Sequence, residues 1–358
     1  MSIAEPPALD PTKLEQFVFR AVDEVGATLN AALVVMGDRL GLYRALADAD
    51  ALTPGELAAR TGTAERYVRE WLNAQAAGGY VEYHPAEGRY SLPPEQVVAL
   101  TDESSAAYLP GFFQIALGSV LDSPRITEAA RTGEGVGWHE HHPHVHDGCE
   151  RFFRPGYHAH LIDAWLPALD GVVERLQRGI RVADVGCGHG ASTLLMAGAF
   201  ANSTFLGSDY HVGSIETARR RAEQAGLADR ARFEVAPAAA YTGSGYELVT
   251  MFDCLHDMGD PVGAARHVRE TLTPDGTWMI VEPAAGDRVQ DNLNPVGRAY
   301  YGFSTLLCTP ASLSQEVGLA LGAQAGPARI AEVVAEAGFT RFRQAAATPF
   351  NLVYEVRP

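Results

Sequence analysis

The chain of 358 residues carries 28 basic against 44 acidic side chains, a formal charge of −16, which disfavours nucleic acid and anionic membrane surfaces as partners. Hydrophobic residues make up 47%, yet no apolar run approaches the roughly 18 to 20 residues needed to cross a bilayer. The opening stretch MSIAEPPALDPTKLEQ lacks the basic flank and apolar core of a secretory signal, so a soluble, cytoplasmic protein without membrane contact is expected. Cys149, Cys187, Cys254 and Cys308 form no CxxC pair, which fits isolated thiols in a reducing compartment, and the acidic balance leaves small molecules as the expected partners.

The segment AVDEVGATLNAALVVMGDRLGLYRAL (21–46) is apolar on more than one face, as expected of a helix buried against a second subunit. A homodimer is therefore expected, with a helix buried within the same chain as the alternative. In TPGELAARTG (53–62), Thr53 is a helix N-cap, Pro54 takes the first helical position and Gly62 is a stop. A second helix begins at Thr63, with Tyr67, Trp71 and Ala74 at helical spacing before the Gly78-Gly79 break, and YVEYHPAEGRYSL follows as two alternating strands around a turn. This is a helix-turn-helix with a wing. Its second helix sets Glu65 and Glu70 against Arg66 and Arg69, so it lacks the cation surplus that phosphate binding needs, and packing or dimerisation is the better reading than nucleic-acid binding.

Between the halves lies TGEGVGWHEHHPHVHDGCERFFRPGYHAH (132–160), a Gly- and His-rich connector leading into a helix through HLIDAWLPALDGVVERL. If extended, it would set His142, His144 and His146 on one side, although a His-rich connector is more often solvated and no metal is expected. The predicted divisions are 1–131, 132–178 and 179–358.

After Gly179, strand and helix alternate. RVADVG (181–186), STFLGSD (203–209), RFEVA (232–236), YELVTMFD (246–253) and GTWMIVE (276–282) read as apolar strands. Helical segments fall near 191–200, 213–226, 261–272 and 327–337, and FTRFRQAAA and FNLVYEVRP close the chain. Such alternation predicts an α/β domain, a mostly parallel sheet with helices on both faces.

DVGCGHG (184–190) follows the first of these strands, where ligands of open parallel sheets bind. Its spacing is GxGxG, and Asp184 would repel a pyrophosphate. S-adenosylmethionine (SAM) instead offers an ammonium group to a carboxylate and needs close backbone approach, for which glycines leave space. Asp209, ending the second strand in GSDYH, stands where an acid accepts hydrogen bonds from ribose hydroxyls, and Tyr210 is placed to lie against adenine.

With these motifs in view, 181–282 resembles a class I SAM-dependent methyltransferase, and the whole chain is similar to winged-helix small-molecule O-methyltransferases, with an actinobacterial branch the nearest in appearance. The resemblance implies a Rossmann-like seven-stranded domain behind a mainly helical winged-helix dimerisation domain. It implies SAM contacts at Asp184, Gly186, Gly188, Gly190, Asp209 and Phe252. Where the family usually carries an acid for the adenine amino group, this chain has Ala236-Pro237-Ala238.

His256 in FDCLHDMGDP follows the fourth strand, at the open edge of the sheet, where a histidine can take a proton from an attacking hydroxyl. The resemblance makes it the catalytic base and implies that Glu282, in MIVEP, orients it; the family's second acid falls near Ala328 and is absent. Asp257 is at most a helper. Residues 294–318 should cover the substrate pocket, with Tyr301 and Cys308 as contacts alongside Tyr157 and Trp165 from the preceding helix. O-methylation of a small aromatic or polyketide-like molecule is the leading expectation. Metal-assisted C-methylation of an α-keto acid and a SAM-sensing transcriptional regulator are the alternatives.

Overall fold

The computed structural model describes residues 9–358, which form two compact units, one ending at Leu117 and the other running from Gly118 to Pro358. The division falls ahead of the boundary at 131 read from the sequence, within a helix. No helix among the described residues is long and apolar enough to cross a membrane.

The first unit opens with α1 (Pro11–Arg39), capped by the Asp10 carboxylate, which accepts from the backbone N–H of Thr12 at 3.0 Å. The apolar stretch 21–46 is two helices, because Gly41 adopts φ +69 and starts α2 (Leu42–Ala47). In α3 (Pro54–Thr61), Thr53 and Glu56 make a reciprocal capping box, and Gly62 ends the helix at φ +66. In α4 (Glu65–Ala77) the buried stripe is Val68, Trp71, Leu72 and Gln75, the i, i+3, i+4, i+7 pattern of one helical face. Tyr67, expected on that stripe, is 75% exposed. The wing pairs β1 (Glu82–His84) with β2 (Arg89–Ser91), Tyr83 opposite Tyr90. Two further helices, α5 (Pro94–Thr101) and α6 (Pro110–Leu121), follow.

In the second unit α7 (Ser123–Thr132) precedes the His-rich stretch, which is not extended. It makes a 3₁₀ turn at 138–140 and then enters α8 (Pro143–His160), with the His142 side chain as N-cap accepting from the His144 N–H. His141 bonds Asp122 at 3.0 Å and His146 bonds the Trp138 carbonyl at 2.9 Å, while the His142 and His144 rings stand 4.6 Å apart. A short π-helical turn (161–165) and α9 (Val172–Arg178) lead into the sheet.

The sheet order is β5-β4-β3-β6-β7-β9-β8. Strands β3 (Arg181–Val185), β4 (Thr204–Asp209), β5 (Ala231–Val235), β6 (Tyr246–Phe252) and β7 (Leu272–Pro283) run parallel, and β9 (Asn351–Arg357) is antiparallel to both β7 and β8 (Arg341–Ala347). Helices α10 (Ala191–Ala199) and α11 (Val212–Gln224) follow β3 and β4, and α12 (Pro261–Thr271) links β6 to β7. Before β8 come α13 (Pro295–Phe303), α14 (Thr309–Leu313) and α15 (Gly326–Glu336).

Alternation along the strands sends Val182, Phe205, Leu248 and Met279 into the core on one face, and Ala183, Val249, Trp278 and Ile280 into the core on the other. Strand order reverses at β3, whose sheet neighbours β4 and β6 lie on opposite sides of it. A crevice opens at such a reversal, beyond the carboxyl ends of the strands.

Candidate active site

The turn after β3 is built from backbone in the left-handed region: Gly186 at φ +75, Gly188 at +52 and Gly190 at +79. Their uses differ. A Cβ on Gly190 would stand 2.9 Å from the Phe233 ring, so that glycine lets helix and strand pack. A Cβ on Gly186 would meet the Cys254 Sγ at 2.6 Å, whereas one on Gly188 would meet nothing within 4 Å. Gly186 forms part of the wall of a cavity of about 510 Å³, a volume ordinary for a small-molecule site.

Asp184 is 1% exposed and does not face that cavity. Its Oδ2 accepts from the Ser192 and Thr193 hydroxyls at 2.7 and 2.5 Å, and its Oδ1 from Thr250 at 2.9 Å. Asp184 thereby ties β3 to α10 and β6 through these three hydroxyls. Burial pushes its carboxyl up, against the pull of those bonds.

Asp209 does line the cavity. Its two oxygens accept from the backbone N–H of Gly188 at 3.0 Å and of His211 at 2.8 Å, fixing the carboxylate across the mouth of the glycine turn. Each oxygen keeps a lone pair for a ligand. Tyr210 stands beside it on the wall, joined by Pro237, Met258 and Trp138.

The 3₁₀ turn at 255–257 places His256, 3% exposed, with a carboxylate near each ring nitrogen. Nδ1 meets Glu282 Oε2 in a very short contact, and Nε2 lies 3.2 Å from Asp257 Oδ1. Glu282 Oε1 also accepts from the Leu255 N–H at 3.0 Å. Burial alone would push the imidazole down, but the flanking carboxylates of Asp257 and Glu282 outweigh it and hold His256 well above the usual histidine value. Asp257, not His256, lines the cavity, so the residue expected to be at most a helper stands between the imidazole and the open space. Asp253, unflagged by the sequence, sits next to this array at φ +50, with Oδ1 accepting from Asn351 at 2.8 Å and Oδ2 buried without a partner. Burial and the nearby Glu282 push its carboxyl far up.

Other expected contacts lie elsewhere. Phe252, Tyr157 and Trp165 belong to the hydrophobic core, with the Phe252 ring 5.1 Å from Tyr157 and 6.5 Å from Trp165. None of them is on the cavity wall. Packing of α8 onto the sheet draws these aromatics into the interior. Tyr301 is half-buried, its hydroxyl 3.4 Å from Asn292 Nδ2. Cys308 is brought to His256 and Asp257, the three donor atoms lying within 4.8 Å of one another. Its thiol is pushed up to about 12 by burial and by Asp257.

Residues 28–102 match the model of the Rv2258c-like winged HTH domain and residues 176–318 that of a methyltransferase domain. Over 103 residues the chain is 33% identical to the ubiquinone biosynthesis O-methyltransferase of Ruegeria pomeroyi, a stretch covering 29% of this chain and 41% of that protein. The chain thus spans about two fifths of the length of the curated relatives it first matches. Among solved structures it is similar to mitomycin 7-O-methyltransferase MmcR (TM-score 0.68, 19% identity, 97% of this chain and 100% of that one). It is also similar to human N-acetylserotonin methyltransferase solved with SAM (TM-score 0.69, 15% identity, 99% of each chain). At these identities the likeness is one of fold. Taken with the seven-stranded sheet, the two matched stretches identify the chain as a winged helix-turn-helix domain joined to a class I methyltransferase domain.

Proposed function

We propose that this protein methylates an oxygen of a small molecule, with SAM as donor and His256 as the proton acceptor. The carrying observation is the Asp209 carboxylate, pinned by Gly188 and His211 N–H groups on the wall of the cavity beside the bare backbone of Gly186. A carboxylate in that position suits vicinal ribose hydroxyls, and a turn without side chains suits a closely approaching amino-acid moiety. When bound, SAM supplies an electrophilic sulfonium methyl.

The chain's own residues supply orientation and proton transfer. Glu282 on Nδ1 fixes the ring and leaves Nε2 on the side of Asp257, which lines the cavity. There Nε2 would take the proton of a hydroxyl held beside Asp257, while bound SAM would supply the methyl that the oxygen gains and keep the electron pair of the broken carbon–sulfur bond on its sulfur. Glu282 then stabilises the resulting imidazolium.

Calorimetry with S-adenosylhomocysteine (SAH) tests the cofactor reading. Asp209→Ala removes charge-assisted hydrogen bonds and should weaken binding about 10- to 100-fold. Unchanged affinity would sink the reading.

A second copy of the chain is the proposed partner of α1, which leaves Phe17, Phe19, Val22, Val25 and Leu29 each more than half exposed, at 58, 67, 62, 61 and 64%. So much apolar surface on one helix suits an interface. Sedimentation should find a dimer, and a Phe19→Glu/Val22→Glu double variant should run as a monomer. A wild-type monomer would refute this. The arginines of α4 favour packing over phosphate contact, since Arg66 meets Glu70 at 2.5 Å and Arg69 pairs with Glu65.

A further inference from the structure

The cavity wall at 236–238 offers no polar side chain for reading a nucleobase. Its backbone is also partly spent: the Ala236 carbonyl accepts from Ser208 Oγ at 3.2 Å and the Pro237 carbonyl from the Ala240 N–H at 2.9 Å. Several other polar side chains on the wall already have protein partners. Gln315 accepts from the Gly259 N–H at 3.1 Å and donates to the Asp257 and Ala311 carbonyls, both at 2.9 Å. Asp209 holds two backbone N–H groups, and Asp257 faces His256. Glu316 is different: it lines the cavity, and its carboxylate has no hydrogen bond or ion pair among the described residues.

The backbone after Glu316 is strained. Val317 at φ +72 and Ala320 at +49 are non-glycine residues in the left-handed region, flanking Gly318 at +61. For a β-branched valine this is a costly conformation, which persists only where surrounding bonds enforce it. Those bonds are present: Leu319 N–H to the Gly259 carbonyl at 2.9 Å, Ala320 N–H to Ser312 Oγ at 3.0 Å, and the three made by Gln315. The strap is thereby held onto the loop after β6, and Glu316 onto the cavity wall.

We propose that Glu316 reads the adenine of the cofactor, its carboxylate accepting an N–H of the exocyclic amine in place of an acid after β5. The proposal rests on the SAM reading above. Adenine presents a donor at that position and hypoxanthine an acceptor, so the same carboxylate that binds one repels the other.

Calorimetry with SAH and S-inosylhomocysteine separates the two readings. Wild-type protein should bind SAH at least about tenfold tighter than the inosyl analogue. Glu316→Gln, whose amide can turn its NH₂ toward a carbonyl, should bring the two affinities to within about threefold, and Glu316→Ala should lose both affinity for SAH and discrimination. Thermal melting confirms that each variant is folded. An unaltered preference for SAH in Glu316→Gln overturns the assignment while leaving the cofactor reading intact. No SAH binding by wild-type protein overturns both.

Discussion

Replacing His256 by alanine is expected to lower methyl transfer about 10²- to 10⁴-fold, the range of a lost general base, while SAH affinity stays within about threefold. The distinction matters because His256 is not on the cavity wall and touches no residue assigned to the cofactor except through the loop that carries it. A comparable loss of SAH binding would mean that the imidazole is a structural strut. The pH dependence gives a second, independent check. With Asp257 and Glu282 flanking its ring, His256 is held well above the ordinary histidine value despite its burial, so its proton is lost at higher pH than an ordinary histidine's. Only the neutral ring accepts a proton. Turnover should therefore rise as pH increases from neutrality into the alkaline range, and Asp257→Asn should move that rise to lower pH by removing one of the two anions that hold the proton. A wild-type profile flat from neutral to alkaline pH would contradict the assignment.

Glu282→Ala should cost about 3 to 5 kcal/mol of stability near pH 6, the penalty for breaking a buried pair from one side. The variant strands the Leu255 N–H, which Glu282 Oε1 now satisfies at 3.0 Å, and leaves the imidazolium with Asp257 alone. The sign of the pH effect follows from the direction of the histidine shift. A group whose folded value is raised stabilises the fold fully below its unfolded value, near 6.5, and that contribution fades as pH rises through the folded value. The variant's deficit should therefore shrink toward alkaline pH, where the ring in the wild type also loses its proton. Denaturant titrations at pH 6 and pH 9 would show this, and an equal deficit at both would mean that Glu282 acts through the Leu255 bond alone.

Much of the α/β unit was legible because buried parallel strands are short continuous apolar runs bounded by turns, a signal that survives without any knowledge of neighbours. The segments read at 181–186, 203–209, 232–236 and 246–253 coincide with β3 to β6, although β7 begins earlier than expected, at Leu272. Asp209 was equally legible: an acid ending the second parallel strand has little choice of where to stand. Asp184 was not, since its destination depends on the hydroxyls of Ser192, Thr193 and Thr250, brought together only when α10 and β6 pack around β3.

The sequence by itself determined the order of elements, the glycine turn, and the residue types from which a cofactor crevice with a histidine at its edge could be made. Periodicity and turn chemistry are local, so they can be read one segment at a time. Tertiary structure decided which of those side chains meet. It sank Phe252, Tyr157 and Trp165 into the core, set Asp257 between His256 and the cavity, and brought Trp138 and Glu316 to one wall from distant parts of the chain. Such encounters are fixed by close packing between elements, where each side chain takes the space its neighbours leave, and that space has no counterpart in the spacing of letters.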